Sequence, residues 1–206
     1  MLIIGLTGSI GMGKSAIAGM FKARGIAVCD ADGEVHKLYD PGGAAVPPIE
    51  AVFPGTTTSD GVDRAKLAAA LLADPSGFKR LEGIVHPLVQ AAERAFLQAE
   101  SVRGALLAIL EIPLLFETGG DKRVDVVVVV SAPADVQRAR VLLRPGMTAE
   151  KLDSLLSRQV GDAEKRRRAD FVVDTGGTLE DSQAQVDRII ATLQGRHGQA
   201  FVAHWS

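Results

Sequence analysis

Short apolar runs separated by longer stretches of helical periodicity set the pattern of this chain. Leu2 to Leu6, Ile26 to Cys29, Ala105 to Ile112, Val124 to Val130 and Phe171 to Val173 read as strands, and the segments between them as helices. Such alternation predicts an α/β fold, with a parallel five-stranded sheet covered by helices. The run Val126 to Val130 is all valine. β-Branched and apolar on both faces, it suits a central strand buried on both sides. Toward the C-terminus Val186, Ile189, Ile190 and Leu193 follow the i, i+3, i+4, i+7 rule, with Thr178 where an N-cap belongs. The pattern then stops. Gly195 to Ser206, which carries the single tryptophan Trp205, has no period and predicts a mobile end or a partner contact. Pro41 to Pro54, rich in Pro, Gly and Ala, reads as a connection between subregions.

The first predicted strand runs into Gly8-Ser9-Ile10-Gly11-Met12-Gly13-Lys14-Ser15, a full match to G-x-x-x-x-G-K-[ST], and Ala16 to Phe21 reads as helix after it. Strand, loop and helix in that order are the setting of a triphosphate-binding loop. Its glycines let successive N–H groups approach a phosphate, and the helix N-terminus adds its positive end. Gly8, Gly11, Met12, Gly13, Lys14, Ser15 and Ala16 are therefore candidate ATP contacts. Lys14 would reach the β- and γ-phosphates, and Ser15 would offer its hydroxyl to Mg2+. A plain glycine-rich turn requires neither the Lys-Ser ending nor this spacing.

Further charged residues gather at predicted strand ends. The second strand closes in Asp30-Ala31-Asp32, at the edge where open α/β sheets bind ligands. Asp32 can be a catalytic base or the N-cap of the next helix, two readings that spacing leaves level, and Asp30 reads as structural. Glu111 ends the third strand, where a carboxylate can orient the waters of a magnesium ion. Arg140 and Arg144 are four apart and so share one helix face, which suits phosphate. Arg158 and Lys165 to Arg168 form a second basic cluster, read mostly as a solvated helix face. His86 precedes Pro87 and reads as a capping or packing element, with no partner for a zinc site.

Bulk properties narrow the field. At 206 residues one folding unit is expected, and a net charge of -2 gives no general reason to bind nucleic acid or an anionic membrane. Aromatic content of 4% leaves few stacking platforms for a nucleic-acid ATPase. Cys29 is the only cysteine, which excludes an intrachain disulfide and suits a reducing, cytoplasmic setting. The apolar stretches fall short of a membrane span, and the N-terminus lacks the features of a signal peptide.

Together the motifs resemble the dephospho-coenzyme A kinase family, over about Leu2 to Leu193. The resemblance rests on the phosphate loop; Asp30-Ala31-Asp32 with His36 and Pro41-Gly42; Asp60-Gly61-Val62-Asp63-Arg64; and His86-Pro87. It continues through Ile112 to Glu117, Gln137 with Arg140 and Arg144, Gln159, Lys165-Arg166 and Ala169 to Asp174. It implies a three-layer P-loop NTPase fold acting as a single kinase domain. The core would take 1–31, 100–137 and 169–194, with a helical substrate subregion at about 32–99, a mobile lid at about 138–168 and a tail at 195–206. The implied reaction is transfer of the ATP γ-phosphate to the 3′-hydroxyl of dephospho-CoA, with Mg2+, by a monomer or small homo-oligomer. Carried over by position, Asp32 faces the acceptor hydroxyl, Arg140 sits on the lid near the transferred phosphate, and Arg144 assists the nucleotide. His36, Arg64, His86, Leu114 and Glu117 fall to the acceptor pocket, and Ser15 and Glu111 to the metal. This chain departs from the family pattern at Glu111, usually Asp, at Pro145, often Asp, and at Thr175, usually Asn beside the adenine. A kinase of another small acceptor shares the loop and lid, whereas a GTP switch would need an Asn-Lys-x-Asp type motif that is missing here.

Overall fold

The structure, a computed structural model, describes residues 1–74 and 76–206 and divides into two compact units. The first unit comprises Met1–Cys29 and Leu97–Ser206. Its five-stranded sheet is built from β1 (Leu2–Thr7), β2 (Ala27–Asp30), β5 (Leu107–Glu111), β6 (Val126–Ser131) and β7 (Phe171–Asp174), in the order β2-β5-β1-β6-β7. β1 pairs in parallel with β5 and β6, and β6 with β7. The valine run behaves as its pattern requires. Val126, Val128 and Val130 enter one core with Ile17, Phe21, Val186 and Ile189, while Val127 and Val129 enter another with Leu115 and Phe116. α1 (Lys14–Lys22) and α9 (Leu179–Leu193) supply the first core. Thr178 caps α9 in a reciprocal box with Asp181. Because β1 is the middle strand, the phosphate loop leaves its C-terminal end flanked by β5 and β6.

Three helices between β6 and β7 complete this unit: α6 (Ala134–Leu142), α7 (Ala149–Leu156) and α8 (Asp162–Arg168). α6 ends before Arg144, so Arg140 and Arg144 do not share a helix face as their spacing suggested. The chain turns there, and Gly146 adopts φ 74 just after Pro145. Gly195 to Ser206 is a second correction. Asp125 Oδ1 accepts the Gln199 and Ala200 N–H groups at 2.6 and 2.8 Å, and its Oδ2 accepts the Ile3 N–H at 2.8 Å. A π-helical turn, Phe201–Trp205, then inserts Trp205, 2% exposed, with its Nε1 donating to the Arg123 carbonyl at 2.8 Å. An ordered, docked end replaces the expected mobile one.

The second unit, Asp30–Phe96, holds α2 (Ala31–Tyr39), α3 (Val46–Val52), a hairpin of β3 (Thr57–Thr58) and β4 (Gly61–Val62), α4 (Arg64–Ala73) and most of α5 (Gly77–Val102). The stretch read as a connection contains α3, whose prolines lie in its first turn, where no helical N–H is lost. Ile49 and Phe53 join Val62, Leu67 and Leu71 in a separate core. Glu50 fastens the following loop by accepting the N–H groups of Gly55 and Thr57 at 2.8 and 3.1 Å. These bonds favour its anionic form and hold its carboxyl below the ordinary range.

Candidate active site

The phosphate loop is shaped by close approach. A Cβ at Gly8 would lie 2.6 Å from the Val130 carbonyl oxygen, so only glycine lets the loop rest on β6. Gly11 and Gly13 have φ of 80 and 88, the left-handed region that glycine occupies without penalty. Gly13 is also the N-cap of α1 and brings no side chain to it, which leaves the first helical N–H groups to meet an anion. Ser15 and Ala16 are exposed in that first turn. The residues present thus fit a polyphosphate.

α6, β6 and β7 brace the loop from behind. Gln137 Nε2 donates to the Ile10 carbonyl at 2.8 Å, and the Ala132 N–H donates to Met12 Sδ at 3.1 Å. Thr175 Oγ1 donates to the Met12 carbonyl at 2.7 Å and accepts from Arg140 Nη1 at 3.0 Å. Arg140 Nη2 donates to the Thr175 carbonyl at 2.6 Å. Arg140 is therefore tied to the loop through Thr175, whereas Arg144 is exposed beyond α6. Thr175, noticed in the sequence only as a departure, emerges as the link between loop and α6. Its small hydroxyl both donates and accepts, which the pattern of the chain could not signal.

At the head of the loop, Lys14 Nζ donates to Glu111 Oε1 at 2.8 Å. Glu111 is 4% exposed, and the Lys14 ammonium is the cation that meets it there. Thr7 Oγ1 donates to the Pro113 carbonyl at 3.1 Å and joins the end of β1 to the turn after β5. Among the described residues, no group of three or more His, Cys, Asp or Glu side chains could hold a metal ion. A magnesium ion needs no such cage, since phosphates and water supply most of its ligands.

Beyond that turn Leu114 is 42% exposed, but Glu117 is committed elsewhere. Glu117 Oε1 accepts the Val160 N–H at 2.8 Å and lies 3.1 Å from Lys165 Nζ, a side chain with no exposure. Of the basic run read as solvated, one member thus turns fully inward. Ser131 Oγ donates to Asp162 Oδ2 at 2.8 Å and accepts from Arg166 Nη1 at 3.2 Å, which anchors α8 to the end of β6.

In the second unit Asp30, not Asp32, is the N-cap of α2, accepting the Asp32 N–H at 3.1 Å. The capping alternative for Asp32 is thereby removed. Asp32 and His36 are both exposed and stand one turn apart on α2. The Arg64 guanidinium lies 5.5 Å from the centre of the Tyr39 ring, a cation–π contact that joins α4 to α2. Burial raises the Tyr39 phenol above its ordinary value, with Arg64 opposing. Tyr39 escaped sequence reasoning, although it is the single tyrosine of the chain. His86 is exposed in the middle of α5.

A family-wide pattern described as dephospho-CoA kinase matches residues 2–181. A curated relative from Mesorhizobium japonicum, named dephospho-CoA kinase, is 57% identical over 96% of this chain and 100% of its own length. A crystal structure from Thermus thermophilus is 35% identical, covers 94% of this chain and 98% of its own, and superposes with a TM-score of 0.79. A dephospho-CoA kinase from Campylobacter jejuni, 23% identical, covers 93% of this chain and 96% of its own with a TM-score of 0.70, a likeness of fold.

Proposed function

The chain belongs to the dephospho-CoA kinase family, and from that premise we propose how its residues divide the work of the reaction. It is a kinase that uses ATP to phosphorylate dephospho-CoA at the 3′-hydroxyl, the last step of CoA synthesis. The observation that carries the residue assignment is the glycine-shaped loop with Lys14 at its head, 2.8 Å from Glu111. In the reaction the bond between the γ-phosphorus and the β,γ-bridging oxygen breaks, a bond from phosphorus to the ribose 3′-oxygen forms, and the hydroxyl proton leaves. Charge spreads over the transferring oxygens, so positioning and electrostatics supply most of the rate.

Gly8, Gly11, Met12, Gly13 and Ala16 cradle the phosphates, and Lys14 neutralises charge that grows on the β- and γ-oxygens. Asp32 aligns the hydroxyl and accepts its proton. Ser15 and Glu111 would hold Mg2+, directly or through water, and the ion would supply charge neutralisation when bound. Arg140, braced by Thr175, and Arg144 belong to a lid at about 138–168 that excludes water, since an exposed γ-phosphate would be hydrolysed. His36, Arg64, His86 and Leu114 serve the acceptor, while Glu117 is taken up by the Val160 N–H and Lys165. The lone cysteine suits a cytoplasmic enzyme. In a coupled assay the protein should turn over dephospho-CoA with ATP and Mg2+. Turnover of adenylate, shikimate or gluconate with dephospho-CoA left untouched would overturn the acceptor.

A further inference from the structure

The docked tail builds a cavity of about 610 Å³ at the N-terminal ends of β1 and β6, within the range of small-molecule sites. β1, six residues or roughly 20 Å of extended chain, runs from this cavity to the phosphate loop. Leu2, Val124 and Val126 line it from the sheet side. Lys122 enters from the 3-10 turn Gly120–Arg123, and Arg196, His197 and His204 from the tail. These four are exposed. The one acidic residue in the lining is Asp125, and both of its oxygens are engaged by the N–H groups of Ile3, Gln199 and Ala200. Those N–H groups hold the carboxylate on the latch, and the other polar side chains of the lining are Gln199, the cations Lys122 and Arg196, and the imidazoles of His197 and His204.

The latch itself is closely fitted. A Cβ at Gly198 would lie 2.3 Å from Asp125 Oδ2 and 2.6 Å from the Met1 carbonyl oxygen, so the tail crosses the sheet at a glycine. Trp205 then fixes the far end, with the Arg123 guanidinium 5.0 Å from its ring centre. An apolar wall joined to a cationic rim selects one kind of ligand, an anion carried on a compact apolar body.

We propose that this cavity is a second ligand site, separate from the phosphate loop, that binds a small organic phosphomonoester. Lys122 and Arg196 meet the phosphate, and the sheet side of the cavity takes the apolar body. Because the lining comes from both the sheet base and the tail, occupancy also holds the tail in its docked position.

The single tryptophan makes the site observable. The full-length protein is first saturated with a non-hydrolysable ATP analogue to close the phosphate loop, then titrated with phenyl phosphate while Trp205 fluorescence and the His197 and His204 ring resonances are followed. A saturable response on both probes is expected, with affinity falling at least about tenfold in Lys122→Gln/Arg196→Gln, which removes both charged contacts to the phosphate. Inorganic phosphate, which lacks the apolar body, should bind more weakly than phenyl phosphate. No saturable response into the millimolar range, a response that the double variant retains in full, or equal binding of inorganic phosphate would overturn the proposal. Both substituted side chains are exposed, and the single variants Lys122→Gln and Arg196→Gln repeat the test should the double variant lose its fold.

Discussion

Asp32 shows how one hydrogen bond can separate two chemistries. Spacing left it level between base and helix cap, and the structure gives the cap to Asp30. Asp32→Asn therefore leaves the cap of α2 in place and removes the carboxylate charge together with the capacity to accept a proton. If Asp32 is the base, kcat should fall by about 10² or more, with ATP affinity and melting temperature near those of the parent. Unchanged turnover would take Asp32 out of the mechanism. The phosphate loop was legible at this scale because its demands are local: left-handed backbone at Gly11 and Gly13 and a close pass of Gly8 over β6 write glycine into fixed positions. The Thr175 brace was not, since its hydroxyl meets the Met12 carbonyl across 163 residues of chain.

The segment from α6 to α8 depends on buried charge at the level of whole elements. Lys165 has no exposure, and its ammonium lies 3.1 Å from Glu117 Oε1, which also holds the Val160 N–H. Removing one partner leaves a buried charge alone, a loss typically of about 3–5 kcal/mol. Glu117→Ala should therefore destabilise the protein strongly in urea, and Glu117→Ala/Lys165→Met should recover part of the loss because no orphaned ammonium remains. A Glu117→Ala variant as stable as the parent would reduce the pair to a surface contact. Periodicity could not find this pair, because Lys165 to Arg168 offers four successive cations and only tertiary packing decides which turns inward. The end of α6 was equally hidden. A four-residue spacing implies a shared face only where the helix persists, and here the helix stops at Leu142, short of Arg144 and Pro145.

Across the molecule, what was read in advance follows from how each core is built. Alternating strands and amphipathic helices write their burial into sequence, and the valine strand with α9 follows that script. The tail follows none, because its anchorage is a set of single contacts without a period: Asp125 to two backbone N–H groups, Gly198 against Met1 and Leu2, and Trp205 into the unit that carries the sheet. Docking makes a measurable claim on stability. Truncating a buried aromatic typically costs about 3–5 kcal/mol, and each kcal/mol lowers the melting temperature of a chain this size by about 2–4 °C. Trp205→Ala should thus lower the melting temperature by roughly 6 °C or more and speed amide exchange at Gln199 and Ala200, whose N–H groups Asp125 now holds. Turnover at saturating substrate, measured well below the new melting point, should survive, because the phosphate loop leaves the opposite end of β1. A variant that melts with the parent would show that the tail contributes nothing to the folded state. One that loses turnover while still folded would instead connect the base of the sheet to the reaction at its top.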